Sequence, residues 1–283
     1  MGLHVANYTA ADIKALRERT GAGMMDVKKA LDEANGDAEK AMELIRIKGL
    51  KGATKREGRS TSEGLVAAKV IDGTVGVMIE LSCETDFVAK NDKFISLAAK
   101  VLEVAVSSEA ADLETLLAVD VDGKTLVEYV TEEGAVLGEK VVVRRISRVE
   151  GASVDAYLHK TSKDLPAQVG VLVAVNGTGE AAATVAHDVA VHTAAMTPSV
   201  LSREDIPAET VESERRIAME TAVAEGKPEA ALPKIVEGRL TGFFKEHVLV
   251  DQAFAKDAKK TVGKVLEEAG VQATAFARFR VGS

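Results

Sequence analysis

The chain has 283 residues, 46% of them hydrophobic and 28% charged, with a net charge of −8, one cysteine and no tryptophan. That much charge, and the lack of any apolar run near the ~20 residues of a membrane span, exclude a membrane class. The acidic balance and the few aromatics argue against a surface built to follow nucleic-acid phosphates and stack on bases, so the expected partner is a protein. A single cysteine, Cys83, permits no internal disulfide and no cysteine-based zinc site, which fits a reducing cytoplasm. The opening Met1-Gly2-Leu3-His4-Val5 lacks the basic and then apolar pattern of a secretory signal.

Residues 8–48 read as three short helices. Thr9 is an N-cap with Asp12 three positions on, and Thr20-Gly21-Ala22-Gly23 ends the first helix. Met24 to Ala34 forms the second, with Val27, Ala30, Leu31 and Ala34 at helical spacing. Asn35-Gly36-Asp37 closes it and caps the third, where Ala38, Ala41, Met42 and Ile45 repeat. So small a core is marginal alone, which suggests a docking module. Met24 and Met25 point about 100° apart on a helix, so both are not expected to be deeply buried. They are either one core and one idle surface methionine, or a soft contact surface flanked by Arg17, Arg19 and Lys28. Residues 49–63, rich in Gly, Ser and Lys/Arg, read as a solvated linker.

From Leu65 the period switches to two. Leu65 to Ile71 and Thr74 to Cys83 flank the hairpin turn Asp72-Gly73, and Val75, Val77, Ile79, Leu81 and Cys83 share one face. Cys83 is therefore a core residue rather than a reactive thiol, with no His or cation beside it in sequence. The stretch Thr85-Asp86-Phe87-Val88-Ala89-Lys90-Asn91 then joins strand to helix. Two readings stand. Phe87 and Val88 staple the next helix, with Asn91 or Asp92 as its cap, or Asp86 and Phe87 project into a partner. The helix that follows carries Phe94, Leu97, Ala98, Val101, Leu102 and Ala105 at core spacing.

Ala118 to Thr125 nearly spells a phosphate-binding loop, but it follows a helical run, and Asp120 and Asp122 would repel phosphate. It reads as a turn leading to a helix start at Thr125, and a run from 126 closes at Leu137-Gly138 before a strand over Val141 to Val149. Val169-Gly170-Val171-Leu172-Val173-Ala174-Val175 echoes Val75-Gly76-Val77-Met78-Ile79-Glu80-Leu81. Each run follows another strand, here Ser153 to Lys160, and precedes a helix, here Glu180 to Ala195, which suggests a duplicated β-β-α unit. His187 and His192 lie about 140° apart on that helix, so no metal site is expected, and His159 is a lone histidine at a strand end. Ser202 to His247 reads as a helical hairpin with Gly226-Lys227-Pro228 at its tip. A last helix over Thr261 to Gly270 and a last strand over Gln272 to Val281 close the pattern.

Leu16 to Leu31, with Arg17, Met24 and Met25 inside it, and Asn35-Gly36-Asp37 resemble the N-terminal signature of the elongation factor Ts family. Thr85 to Asn91 resembles that family's second signature. Val27 departs from it, standing where many relatives carry Cys. The resemblance, which spans Tyr8 to Gly282, implies an α+β fold. Its expected parts are a ubiquitin-associated-like three-helix bundle over 1–48, the linker 49–63, and core subdomains over 64–150 and over 151–201 with 248–283, each with antiparallel sheets. A protruding antiparallel coiled-coil hairpin over 202–247 interrupts the second subdomain. Some relatives carry a further C-terminal module that is not expected here.

The implied function is guanine-nucleotide exchange on elongation factor Tu, without covalent chemistry, cofactor or metal. Thr85, Asp86, Phe87 and Val88 would disturb the partner's Mg²⁺ site. Arg17, Met24, Met25, Lys28, Leu137, Gly138 and His159 match positions of the partner interface, and the hairpin can mediate self-association. No direct contact with nucleic acid or membrane is implied. Two competing classes remain. One is a non-catalytic interaction module of ubiquitin-associated type; the other is an enzyme using Cys83, His187 or the Ala118-to-Thr125 loop.

Overall fold

The computed structural model describes residues 7–283, and the side chains of all of these except residues 50–55. Met1 to Val5, and Lys51 and Lys55 of the expected linker, lie outside that set. Helix α1 (Ala10–Thr20) starts at a capping box, in which the Asp12 N–H donates to Thr9 Oγ1 at 3.2 Å and the Thr9 N–H to Asp12 Oδ2 at 2.6 Å. It stops at Gly21, held at φ 72°. Helix α2 (Met24–Glu33) turns through Asn35 and Gly36, both at positive φ, into α3 (Ala38–Arg56), where Asp37 Oδ1 accepts the N–H groups of Glu39 and Lys40. Leu16, Val27, Ala30, Leu31, Ala41 and Ile45 form the small bundle core.

The third helix does not end where a linker is expected. It runs through 49–56, because these residues are good helix formers apart from two glycines and because Gly49 is a packing site. A Cβ on Gly49 would lie 2.5 Å from the Ala135 carbonyl oxygen. The glycine thus serves close helix contact rather than flexibility. Only the short stretch before Glu63 connects bundle to core.

Strands β1 (Glu63–Ile71) and β2 (Val75–Cys83) pair antiparallel through Asp72 at φ 50° and Gly73 at φ 71°, a turn that matches the strand twist. A four-residue helix α4 (Asp86–Ala89) and then α5 (Asp92–Ser107) and α6 (Leu113–Leu117) follow. The Ala118-to-Thr125 region is a small hairpin of β3 (Asp120–Val121) and β4 (Lys124–Thr125), whose Gly123 N–H donates to Asp120 Oδ1. Thr125 caps α7 (Leu126–Leu137), and β5 (Val142–Glu150) returns to the far edge of β2. The second half repeats this order. Strands β6 (Ser153–His159) and β7 (Val169–Val175) pair, α8 (Glu180–Met196) follows, and β10 (Ala273–Arg280) adds last. Before β10 come α9 (Ala208–Ala224) and α10 (Leu232–His247), then β8 (Ala253–Phe254), β9 (Asp257–Thr261), α11 (Val262–Glu268) and finally β10 (Ala273–Arg280). The strand orders β1-β2-β5 and β6-β7-β10 are therefore equivalent.

The two sheets meet face to face through Val66, Met78, Val149, Val154, Leu172, Ala174 and Phe279. Helix α5 covers the outer face of the first sheet and α8 that of the second, giving an α-β-β-α stack. The echoed glycines sit in the inner layer. A Cβ on Gly76 would meet Val154 Cγ1 at 2.9 Å, and one on Gly170 would meet Val66 Cγ1 and lie 2.8 Å from Met78 Sδ. The repeated Val-Gly-Val pattern is thus the record of two central strands pressed together. At the edge of this layer Glu80 is fully buried and paired with Arg145 Nε at 2.6 Å. The same guanidinium donates to the Arg280 carbonyl and stacks on Phe279, so the ion pair ties β2 and β5 to β10. The arms α9 and α10 pack together through Ala218, Val236, Leu240 and Phe244, and no helix among the described residues is long and apolar enough to cross a membrane.

Candidate partner-binding site

The Thr85-to-Asn91 stretch separates its side chains sharply. Phe87 is 73% exposed, while Val88 is 9% exposed and Ala89 fully buried. The staple reading of Phe87 fails on this geometry: Val88 and Ala89 anchor α4, and Phe87 faces out. Thr85 caps the turn, its Oγ1 accepting the Val88 N–H, and Asn91 caps α5 by accepting the Lys93 N–H at 2.8 Å. Lys90 Nζ lies 3.2 Å from Asp86 Oδ2 and 4.5 Å from the centre of the Phe87 ring. The turn thus presents an acid and an aromatic ring together, with one cation holding both.

Its base is fixed by a residue that the sequence patterns do not single out. Beyond the pair Ser82 and Val142 the β2–β5 ladder stops, and two carboxylates take over from it. Glu139 Oε2 accepts the N–H groups of Glu84 and Thr85 at 3.0 Å each, and the Thr85 hydroxyl donates to Glu139 Oε1 at 2.5 Å. In return Glu84 Oε1 accepts the Lys140 N–H at 2.6 Å, and Arg59 pairs with the Glu84 carboxylate at 3.1 Å. A glutamate just after a helix-ending glycine was the available signal, but sequence gives no hint that residues 84 and 139 are neighbours.

The other expected interface residues fall into two groups. Arg17, Met24, Met25 and Lys28 are exposed on the bundle, the methionines at 56% and 62%. The reading of one buried and one idle methionine therefore fails. Arg17 lines a groove between the end of α1 and the start of α5, together with Gly21, Lys90 and Lys93. Bundle and projecting turn thus share one surface. Leu137, by contrast, is buried, and its Cδ2 would meet a Cβ on Gly21 at 3.0 Å, so its side chain joins the bundle to the core. Gly138 is exposed at φ 83° as the end of α7. His159 is exposed on the edge strand β6, where its Nδ1 is 3.1 Å from the Tyr157 hydroxyl.

The catalytic alternatives find no support in the side chains. Cys83 is buried, and burial together with the charges of Glu139 and Glu63 pushes its thiol far above the ordinary range. His192 is buried between Gln252 Oε1 at 2.9 Å and the Ala255 N–H, which donates to its Nδ1 at 3.0 Å. His187 instead pairs with Asp155, and Asp188 with Lys256. Among the described residues no group of three or more His, Cys, Asp or Glu side chains is arranged to hold a metal ion.

A model of the family described as Elongation factor TS matches residues 84–283. Proteins named Elongation factor Ts from Pseudarthrobacter chlorophenolicus and Micrococcus luteus are 82% and 76% identical to this chain over 279 residues. One from Kineococcus radiotolerans is 57% identical over the same length. Each alignment covers 99% of this chain and all of the relative. On these matches the chain belongs to the elongation factor Ts family of translation elongation factors.

Proposed function

We propose that the chain is a guanine-nucleotide exchange factor for elongation factor Tu, and that it acts by differential binding rather than by covalent chemistry. The observation that carries this reading is Phe87, a large apolar ring held outward beside Asp86 on a turn whose base is hydrogen-bonded on both sides. Burying that ring in a partner could supply about 1.5–3 kcal/mol toward separating elements of the nucleotide domain. Asp86, carried in with it, would disturb the partner's Mg²⁺ site, and loss of the ion leaves phosphate charge uncompensated and GDP loosely held. Linkage then fixes the sign: a factor that binds the nucleotide-free partner more tightly must weaken GDP by the same ratio.

Arg17, Met24, Met25 and Lys28 would grip the partner in any nucleotide state, with Gly138 and His159 as further contacts. The buried Leu137 would contribute by locking the bundle in place. The reading implies action in the cytoplasm. Self-association through the hairpin is supported by the exposed apolar residues Ile217, Met219 and Val223 on α9. The test is release of fluorescent GDP from elongation factor Tu with and without the intact chain. The reading expects strong acceleration; an unchanged rate would leave only a binding module built on Met24 and Met25.

A further inference from the structure

We propose that Glu139 is the positioning residue of the projecting turn, holding Asp86 and Phe87 at working geometry without itself touching the partner's nucleotide site. The inference rests on the exchange reading above. Helix α4 has four residues and one face to anchor it, too little to hold an exposed aromatic ring in a fixed direction by packing alone. The missing constraint comes from one carboxylate. Glu139 takes both N–H groups at the end of β2 and the hydroxyl of the residue that caps α4. A charged acceptor on three donors is a stronger tie than the neutral ladder bonds it replaces. The Thr85 hydroxyl is used twice: it donates to Glu139 and accepts from Val88, so the orientation of the carboxylate passes to the first turn of α4 through a single oxygen.

Glu139 is itself held from the other side. It follows Leu137, which packs against Gly21, and Gly138, whose positive φ turns the chain toward β2. Val136 packs against the bundle core. The segment 136–139 therefore carries the bundle on one flank and the projecting turn on the other. This fixes the distance between the two parts that would meet the partner.

The test measures GDP release from elongation factor Tu at rising concentrations of the intact chain and of Glu139→Gln, which keeps the side chain's size and one acceptor oxygen but puts an NH₂ in the place of the other. The maximal release rate is expected to fall about ten- to a hundredfold, the scale on which a misplacement of ~1 Å lowers a rate. The half-saturating concentration should change less than about threefold, since the bundle contacts are untouched. Thr85→Val, which removes the hydroxyl, should match Glu139→Gln, and Thr85→Ser, which retains it, should release GDP several-fold faster than Thr85→Val. Amide hydrogen exchange at Thr85 to Ala89 should quicken in Glu139→Gln while β2 and β5 stay protected.

A wild-type maximal rate in Glu139→Gln, or a loss confined to the half-saturating concentration, would overturn the inference. If Glu139→Gln does not fold, the two Thr85 variants read the same bond from its other end, and equal rates in them overturn it. If the intact chain itself fails to accelerate release, the exchange reading falls and takes this inference with it, a result distinct from loss in the variants alone.

Discussion

Phe87 and Val88 are adjacent and chemically alike, yet one stands in solvent and the other closes the core of the first subdomain. Sequence left two readings open, a staple of Phe87 and Val88 or a projection of Asp86 and Phe87, because a four-residue helix is too short to show a period. The family resemblance favoured projection, but of the whole stretch Thr85 to Val88, and only the fold separates the ring from its neighbour. Cys83 was legible, since alternation along β2 places it on the apolar face. With its thiol raised by burial, alkylation of the native chain by iodoacetamide should be negligible and should go to completion in denaturant; rapid native labelling would contradict this placement. His192 was read only as lacking a metal, whereas the structure gives it a core role. Burial lowers its pKa below the ordinary value of about 6.5, with the Gln252 hydrogen bond opposing the shift. The unfolded chain then binds the proton first as pH falls. His192 therefore contributes fully above pH ~6.5, and that contribution is lost as pH drops from there toward the folded-state value. Thermal midpoints of wild type should fall more steeply from pH 7.5 to 5.5 than those of His192→Gln; equal slopes would contradict the burial.

At the scale of elements, nearly every strand and long helix was legible because its period was clean and its ends carried chemistry: Thr9, Asn91 and Thr125 as caps, Asp72-Gly73 as a turn. The Val-Gly-Val echo was visible as a repeat, but its cause was not, since no sequence pattern states that two glycines face opposite sheets. Gly170→Ala should crowd Val66 and Met78 and cost about 1–3 kcal/mol. Gly242→Ala, in an open stretch of α10, should instead stabilise by about 0.5–1 kcal/mol through helix propensity. Thermal midpoints of the two variants check the contrast, and a shift of the same sign in both would count against the close approach of the sheets. The same blindness explains the linker. Gly49 looked like flexibility, and it proves to be the point where α3 touches Ala135. The β8–β9 hairpin was missed because β8 has only two residues and β9 carries no alternation of apolar and polar side chains to read.

In the whole molecule, the small bundle gains its place by docking on the end of α7, and the same helix end leads to the carboxylate that holds the projecting turn. The sheets, the pair of buried Glu80 with half-buried Arg145, and the outer helices form the frame against which that turn can push. Two pieces of the surface read separately from sequence, Arg17 in the bundle and the turn near Lys90, prove to flank one groove. The juxtaposition could not be read from the chain, because some seventy residues and a change of architecture lie between them. The central claim is that the projecting turn, rather than the gripping surface, releases nucleotide. The measurement that tests it most directly is time-resolved release of fluorescent GDP from elongation factor Tu by the intact chain and by an Asp86→Ala, Phe87→Ala double variant, with binding to the nucleotide-free partner measured alongside. The account predicts rapid release by the intact chain and near-background release by the variant, with binding largely kept. Equally rapid release by both would contradict it.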